Sequence, residues 1–171
     1  IISATPELFV SGDVLKQVVA MIVSTAIQRI QGTKLEATRA LTALAIYHAE
    51  EHLDMFQAVV SQFLPAIISE GILPADQLSL VLNCAADLVF ECPKLFAKGK
   101  GNTALMGQYF GLMGQIIRSV PADEYCDAPA SASAALEFIC AAVEGNGSFF
   151  RRSGSRGLVE QAAQLLLEAT A

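Results

Sequence analysis

The chain has 171 residues, of which 53% are hydrophobic and only 16% are charged, and its formal net charge is −6 at pH 7. This length fits one unit of moderate size that can bury a substantial core. The negative charge argues against binding to nucleic acid, because phosphate contacts need clustered Lys and Arg. The basic cluster at 151–156 is typical of a solvated loop between helices, although it would also suit a phosphate or an acidic partner.

The cysteine spacings match neither a CxxC metal pair nor a dense disulfide framework. The four cysteines are Cys84, Cys92, Cys126 and Cys140. Since Cys84 and Cys140 lie within apolar helical sequence, we expect buried free thiols in a reducing compartment. The chain begins at Ile1 without a secretory signal, and we interpret it as a fragment of a longer protein.

Hydrophobic periodicity and capping residues predict seven helices in chain order. The first four are expected at about 13–31, 33–51, 54–70 and 74–91, and the others at about 102–119, 129–144 and 158–169. Pro65 lies inside the third helix and should kink it, and Pro93 should end the fourth. The tight connection at Gln31 and Gly32 should make the first two helices antiparallel neighbours.

The fifth predicted helix carries three glycines on one face, Gly107, Gly111 and Gly114, which predict close helix packing. The apolar runs 14–30 and 104–117 are both shorter than the roughly 20 residues that a membrane helix needs, and both contain polar side chains. We therefore expect no membrane insertion.

A short sequence motif, which we call the repeated phrase, recurs along the chain. Pro6-Glu7-Leu8-Phe9 returns as Pro93-Lys94-Leu95-Phe96 after 87 residues, and Leu53-Asp54-Met55-Phe56 lies between them. Half of 87 falls within the 40–47 residue period of HEAT and armadillo repeats. The pattern Ala-Leu-x-x-apolar recurs at Ala40 and Ala135, 95 residues apart, and the difference of 8 residues from 87 predicts an insertion in the irregular loop at 120–127. These repeats predict a single all-α segment over 1–171, a right-handed α-solenoid of about three antiparallel helix pairs with flanking half-repeats, in which the phrase closes an inner helix.

On these motifs the sequence resembles HEAT repeats of the importin-β (karyopherin-β) superfamily of nuclear transport receptors, closest to the branch that imports ribosomal proteins and histones. The resemblance extends over nearly the whole chain, although Val-Arg pairs at the start of inner helices and tryptophans are lacking. It implies a non-enzymatic scaffold that is cytoplasmic and nuclear. It further implies that the full-length receptor binds basic protein cargo and a Ran-type GTPase.

The candidate partner-binding site is an acidic stripe on the inner, concave side of the solenoid. Asn83, Asp87 and Glu91 recur at i, i+4 and i+8 on one face of the fourth helix, and Glu137 and Glu144 lie on the sixth. A groove of this charge would suit a basic peptide. The alternative interpretation is an ordinary solvated helix face.

No catalytic, cofactor or metal site is predicted. His48 and His52 lie four residues apart, but the stretch His48-Ala49-Glu50-Glu51-His52 displaces the Glu of a His-Glu-x-x-His zinc motif by one position. Two other hypotheses stay open: a HEAT scaffold of another complex, such as a phosphatase or translation platform, and a helical metalloenzyme that uses these two histidines.

Overall fold

The computed structural model describes residues 12–27, 33–70, 73–97, 102–119, 130–151 and 155–168. Across these ranges the chain is helical and contains no strand, so the predicted all-α class is confirmed. The first copy of the repeated phrase, at residues 5–9, and the predicted loop at 120–127 lie outside the described residues.

The described ranges contain nine helices. They are α1 (Gly12–Ile27), α2 (Thr33–His48), α3 (Leu53–Ala58, Val59–Phe63 and Leu64–Ser69), α4 (Ala75–Glu91), α5 (Pro93–Ala97), α6 (Asn102–Arg118), α7 (Ala130–Gly145), α8 (Gly147–Phe150) and α9 (Arg156–Glu168). The predicted number of about seven is therefore too low. The two additional helices, α5 and α8, are about one turn each, and such short segments carry too little periodicity to be recognised.

The irregularity predicted at Pro65 is a π-helical segment in the middle of α3. This segment, Val59–Phe63, leads directly into the turn that contains the buried Pro65. A proline lacks the backbone donor and its ring crowds the carbonyl four residues earlier, here that of Ser61. A wider turn before the proline relieves that crowding.

One row of neighbouring helices consists of α2, α4 and α7, with α4 packed against both of the others. Near their carboxyl ends, the Cys92 thiol donates to the Ala45 carbonyl at 3.7 Å, and the Asn146 amide donates to the Val89 carbonyl at 3.2 Å. Because the carboxyl ends of all three helices meet at the same side of the molecule, the row is parallel.

A second row contains α3, α6 and α9, and α1 packs against α2. Two of the three predicted packing glycines face α9. A Cβ atom at Gly107 would lie 3.5 Å from Leu158, and one at Gly114 would lie 2.9 Å from Leu165. The packing prediction is thus confirmed for these two positions and wrong for Gly111, where a Cβ atom would meet nothing within 4 Å.

Within the first row, α4 and α7 are the two neighbours that approach each other most closely. A Cβ atom at Gly145 would lie only 3.0 Å from Phe90 Cα and 3.1 Å from the Val89 carbonyl oxygen. Small buried side chains from both helices permit this approach. They include Ala85, Ala86, Ala134, Ala135 and Ala142.

The repeated phrase supplies core aromatics. Phe56 and Phe96 are fully buried, and the Phe96 ring packs edge-on against Tyr109 at 5.5 Å and against Phe138 at 6.5 Å. The prediction that the phrase closes an inner helix is wrong. Both described copies begin the next helix instead, α3 at Leu53 and α5 at Pro93, because the preceding helices α2 and α4 have already ended.

Candidate functional site

The polar side of α4 carries the predicted acidic stripe. Asn83, Asp87 and Glu91 are all exposed. The opposite side of the same helix is buried through Val81, Leu82, Ala85, Ala86, Leu88 and Val89. The helix is thus amphipathic, and its core face orients these three polar side chains toward solvent.

Glu137 and Glu144 are exposed on α7, the helix packed closely against α4. We refer to Asn83, Asp87, Glu91, Glu137 and Glu144 together as the acidic face. Partial burial raises the pKa of Asp87, and the negative charges of Glu137 and Glu91 raise it further. The structure therefore brings three carboxylates from two helices within electrostatic reach of one another.

The carboxylates of the acidic face have no neighbouring cation paired with them among the residues that the structure describes. None of the four forms an ion pair with another residue in the described part of the chain. Like charges held near each other without a counter-charge repel, and a basic partner would remove that repulsion.

A groove that was not predicted from the sequence lies at one end of the acidic face. It has a volume of about 400 Å³ and separates the end of α2 from the end of α4. Its walls include Ile46 and Tyr47, which are 41% and 62% exposed, and Glu91 of the acidic face. We call it the Tyr47 groove. A signal was available in the sequence, because Ile46 and Tyr47 fall outside the buried stripe of Leu41, Leu44 and Ala45.

An ion pair crosses the Tyr47 groove. Lys94 at the start of α5 donates to Glu50, which follows α2, at 2.5 Å. The hydrogen bond and the charge of Lys94 lower the pKa of the Glu50 carboxyl. Glu51 also lines the groove and is exposed. Two of the three carboxylates there, Glu51 and Glu91, thus lack an ion-pair partner among the described residues.

A second groove, of about 410 Å³, separates α1 from α3 and is mainly apolar. Two charged residues, Lys16 and Glu70, line this groove. Glu70 forms an ion pair with the buried Lys34. Because it lies on other helices and carries a different charge balance, this groove is not part of the acidic face.

The two histidines do not assemble a metal site with other described residues. His52 is half-buried beside α1, where its Cε1 would lie 3.0 Å from a Cβ atom at Gly12. No group of three or more His, Cys, Asp or Glu side chains in the described ranges is placed to hold a metal ion.

The described cysteines are free, but they differ in exposure. Cys92 is buried, Cys84 is partly buried, and burial is the main cause that raises the pKa of each thiol. The prediction that Cys140 is buried is wrong. Cys140 is exposed because it lies on the same side of α7 as Glu137 and Glu144. Cys126 lies outside the described residues.

The described part of the basic cluster exposes two arginines, Arg151 and Arg156. Arg156 is exposed and donates to Glu160 at 3.0 Å, whereas Ser155 is buried. Residues 152–154 lie outside the described ranges.

None of the described helices combines the length and the apolar character needed to cross a membrane.

Comparisons with protein families, with curated proteins and with solved structures find no match to this chain.

Proposed function

We propose that the chain is a segment of an α-solenoid of HEAT type and acts as a non-enzymatic protein-binding scaffold. The parent protein, in this proposal, is a nuclear transport receptor of the importin-β kind that works in the cytoplasm and nucleus. The segment binds basic protein cargo through the acidic face, and the complete receptor also binds a Ran-type GTPase.

The spacing of contacts within the helix rows supports the repeat architecture. Hydrogen bonds link residues 47 apart between α2 and α4, 49 apart between α3 and α6, and 50 apart between α6 and α9. The step from α4 to α7 is 57 residues and crosses the predicted insertion at 120–127. In a repeat array, equivalent positions of adjacent units meet at such nearly constant separations.

The arrangement of exposed carboxylates on the two packed helices α4 and α7 is the observation that carries the binding proposal. Asp87 and Glu91 lie in the last turns of α4, where the helix dipole disfavours negative charge. Partial burial raises the pKa of Asp87, and the negative charges of Glu137 on α7 and of Glu91 raise it further. Charges that oppose folding stability are typical of a surface selected for binding. The complementary partner is positively charged.

Binding to a fluorescent Lys-rich peptide, followed by anisotropy, tests this proposal. We expect binding that weakens as salt rises, because salt screens exposed charges. The double variant Asp87→Asn with Glu91→Gln should bind more weakly and lose part of the salt dependence. Glu160→Gln is the matched control, since Glu160 is exposed on α9 and already paired with Arg156. Equal binding by the wild type and the double variant would remove the acidic face as the site.

The assignment to a transport receptor has its own test. The full-length parent should bind both the basic peptide and a Ran-type GTPase in a pulldown with purified components. Peptide binding without GTPase binding would contradict the transport assignment and would leave the scaffold proposal in place.

A further inference from the structure

We propose that the acidic face and the Tyr47 groove form one continuous docking site for a basic segment that carries an apolar anchor residue. This inference rests on the proposed function and adds the kind of segment that the site selects. The anchor side chain enters the groove, and its Lys or Arg neighbours lie along the acidic face.

Glu91 makes the two surfaces continuous. It lines the Tyr47 groove, and it lies one helical turn from Asp87 on the exposed side of α4, the helix that packs closely against α7. A ligand that places one side chain beside Glu91 therefore extends directly across α4 toward α7. The arrangement suits a chain segment longer than one residue.

The walls of the Tyr47 groove supply the apolar contact. Ile46 and Tyr47 expose large apolar surfaces in the folded chain, and Leu53 and Leu95 also line the groove. A groove of about 400 Å³ accommodates a Leu-sized or aromatic side chain. Covering these exposed residues removes apolar area from water, which favours binding.

The carboxylates beside the groove determine which residues of the ligand can flank the anchor. Lys94 neutralises Glu50, which leaves Glu51 and Glu91 as negative charges beside the groove. An acidic segment would be repelled, and an uncharged one would leave the carboxylates without a counter-charge. The same repulsion disfavours a second copy of this face as the occupant. A partner segment with Lys or Arg on both sides of the anchor satisfies both parts of the site.

The test uses three short fluorescent peptides of equal length. The first has a Leu between Lys residues, the second replaces this Leu by Ala, and the third keeps the Leu but replaces each Lys by Glu. We expect the first to bind the wild-type chain about tenfold more tightly than the second, as burial of a Leu side chain predicts. The third should not bind.

Two variants locate the anchor. Tyr47→Ala should abolish the difference between the Leu and Ala peptides while it preserves salt-sensitive binding of both. Met21→Ala is the control, because Met21 is similarly exposed at 58% but lies on α1. It should leave the difference unchanged. Circular dichroism should give the same helix content for both variants and the wild type.

The failures of the two proposals are distinguishable. Equal affinity for the Leu and Ala peptides overturns the anchor and leaves the proposed function intact. If neither of the two Lys-containing peptides binds, the proposed function and the inference are both overturned. Tight binding of the Glu-containing peptide overturns the charge selection. A concentration-dependent dimer in sedimentation experiments that Tyr47→Ala dissolves would identify a second copy as the occupant and overturn the inference.

Discussion

At the level of single residues, two helical glycines, Gly145 and Gly111, have opposite surroundings. Gly145 ends α7 against the backbone of α4, with Phe90 Cα 3.0 Å from the position of a Cβ atom. Gly111 lies within α6, and a Cβ atom there would meet nothing within 4 Å. The tertiary contact, and not the residue type, determines whether a larger side chain fits.

We expect Gly145→Ala to lower the free energy of unfolding by about 1–3 kcal/mol, because backbone cannot move aside as a flexible side chain can. Gly111→Ala, the matched control, should raise it by up to about 1 kcal/mol, since Ala favours helix. Urea denaturation of both variants measures the two effects. A Gly145→Ala variant as stable as the wild type would contradict the close packing of α4 and α7.

Tyr109 joins α6 to the π-helical segment of α3. Its fully buried hydroxyl donates to the Val60 carbonyl at 2.6 Å. We expect Tyr109→Phe to destabilise the fold by about 1 kcal/mol, because the Val60 carbonyl loses its side-chain donor. Tyr47→Phe should have almost no effect, since Tyr47 is exposed. Urea denaturation at neutral pH distinguishes the two, and equal stabilities would contradict this role of the hydroxyl.

Burial of Tyr109 also predicts a pH dependence. Burial raises the pKa of Tyr109 well above its usual value, so the folded chain keeps this proton where the unfolded chain releases it. The folded state then binds more protons, and stability must fall as the pH rises above about 10. We expect this fall to be steeper in the wild type than in Tyr109→Phe, as measured by urea denaturation at several alkaline pH values. Parallel curves would show that Tyr109 does not contribute.

At the scale of the helix, α4 combines a buried apolar side with carboxylates placed against its dipole. Asp76 lies in the first turn, where negative charge is favourable, whereas Asp87 lies near the opposite end. The pKa of Asp87 is raised by partial burial and by Glu137 and Glu91. A raised carboxyl pKa means that ionisation of Asp87 opposes folding at neutral pH.

We therefore expect Asp87→Asn to be at least as stable as the wild type at pH 7. The difference should shrink as the pH falls through the pKa of the folded state, because the wild-type carboxyl is then protonated as well. Asp76→Asn should be slightly destabilising at pH 7, as loss of a favourable charge at a helix start predicts. Thermal unfolding at neutral and acidic pH compares the three proteins. A clear loss of stability in Asp87→Asn would contradict the charge argument.

In the part of the chain that the structure describes, burial is concentrated around α4 in the first row and in an aromatic cluster between the two rows. Helix α4 packs against both α2 and α7, and the aromatic cluster of Phe96, Tyr109 and Phe138 joins α5, α6 and α7. Helix α1 packs mainly on α2 and borders the open groove beside α3. Local stability should therefore be uneven along the chain.

Amide hydrogen exchange tests this unevenness. We expect the amides of α4 and α7 to exchange the most slowly and those of α1 to exchange at least about tenfold faster, because nearest-neighbour contacts determine local opening in a repeat array. Uniform exchange across all three helices would indicate a single cooperative unit and contradict the repeat interpretation.

The sequence alone was sufficient to predict the long helices, because each one carries its own apolar period and its own start and stop residues. The same periodicity predicted that Asn83, Asp87 and Glu91 share one side of α4, and this side is exposed. By contrast, the prediction that Cys140 is buried was wrong, because apolar neighbours in the sequence do not show which side of α7 faces the core.

Local periodicity was therefore enough to predict the all-α class and the polar side of α4, since both depend on interactions between residues three or four positions apart. The proximity of α4 and α7, which lets Glu137 act on Asp87, is a result of tertiary packing, and so is the Tyr47 groove between the ends of α2 and α4. Both join residues that are far apart in the sequence. These features depend on packing between residues 44 to 57 positions apart, and local periodicity carries no information about such contacts.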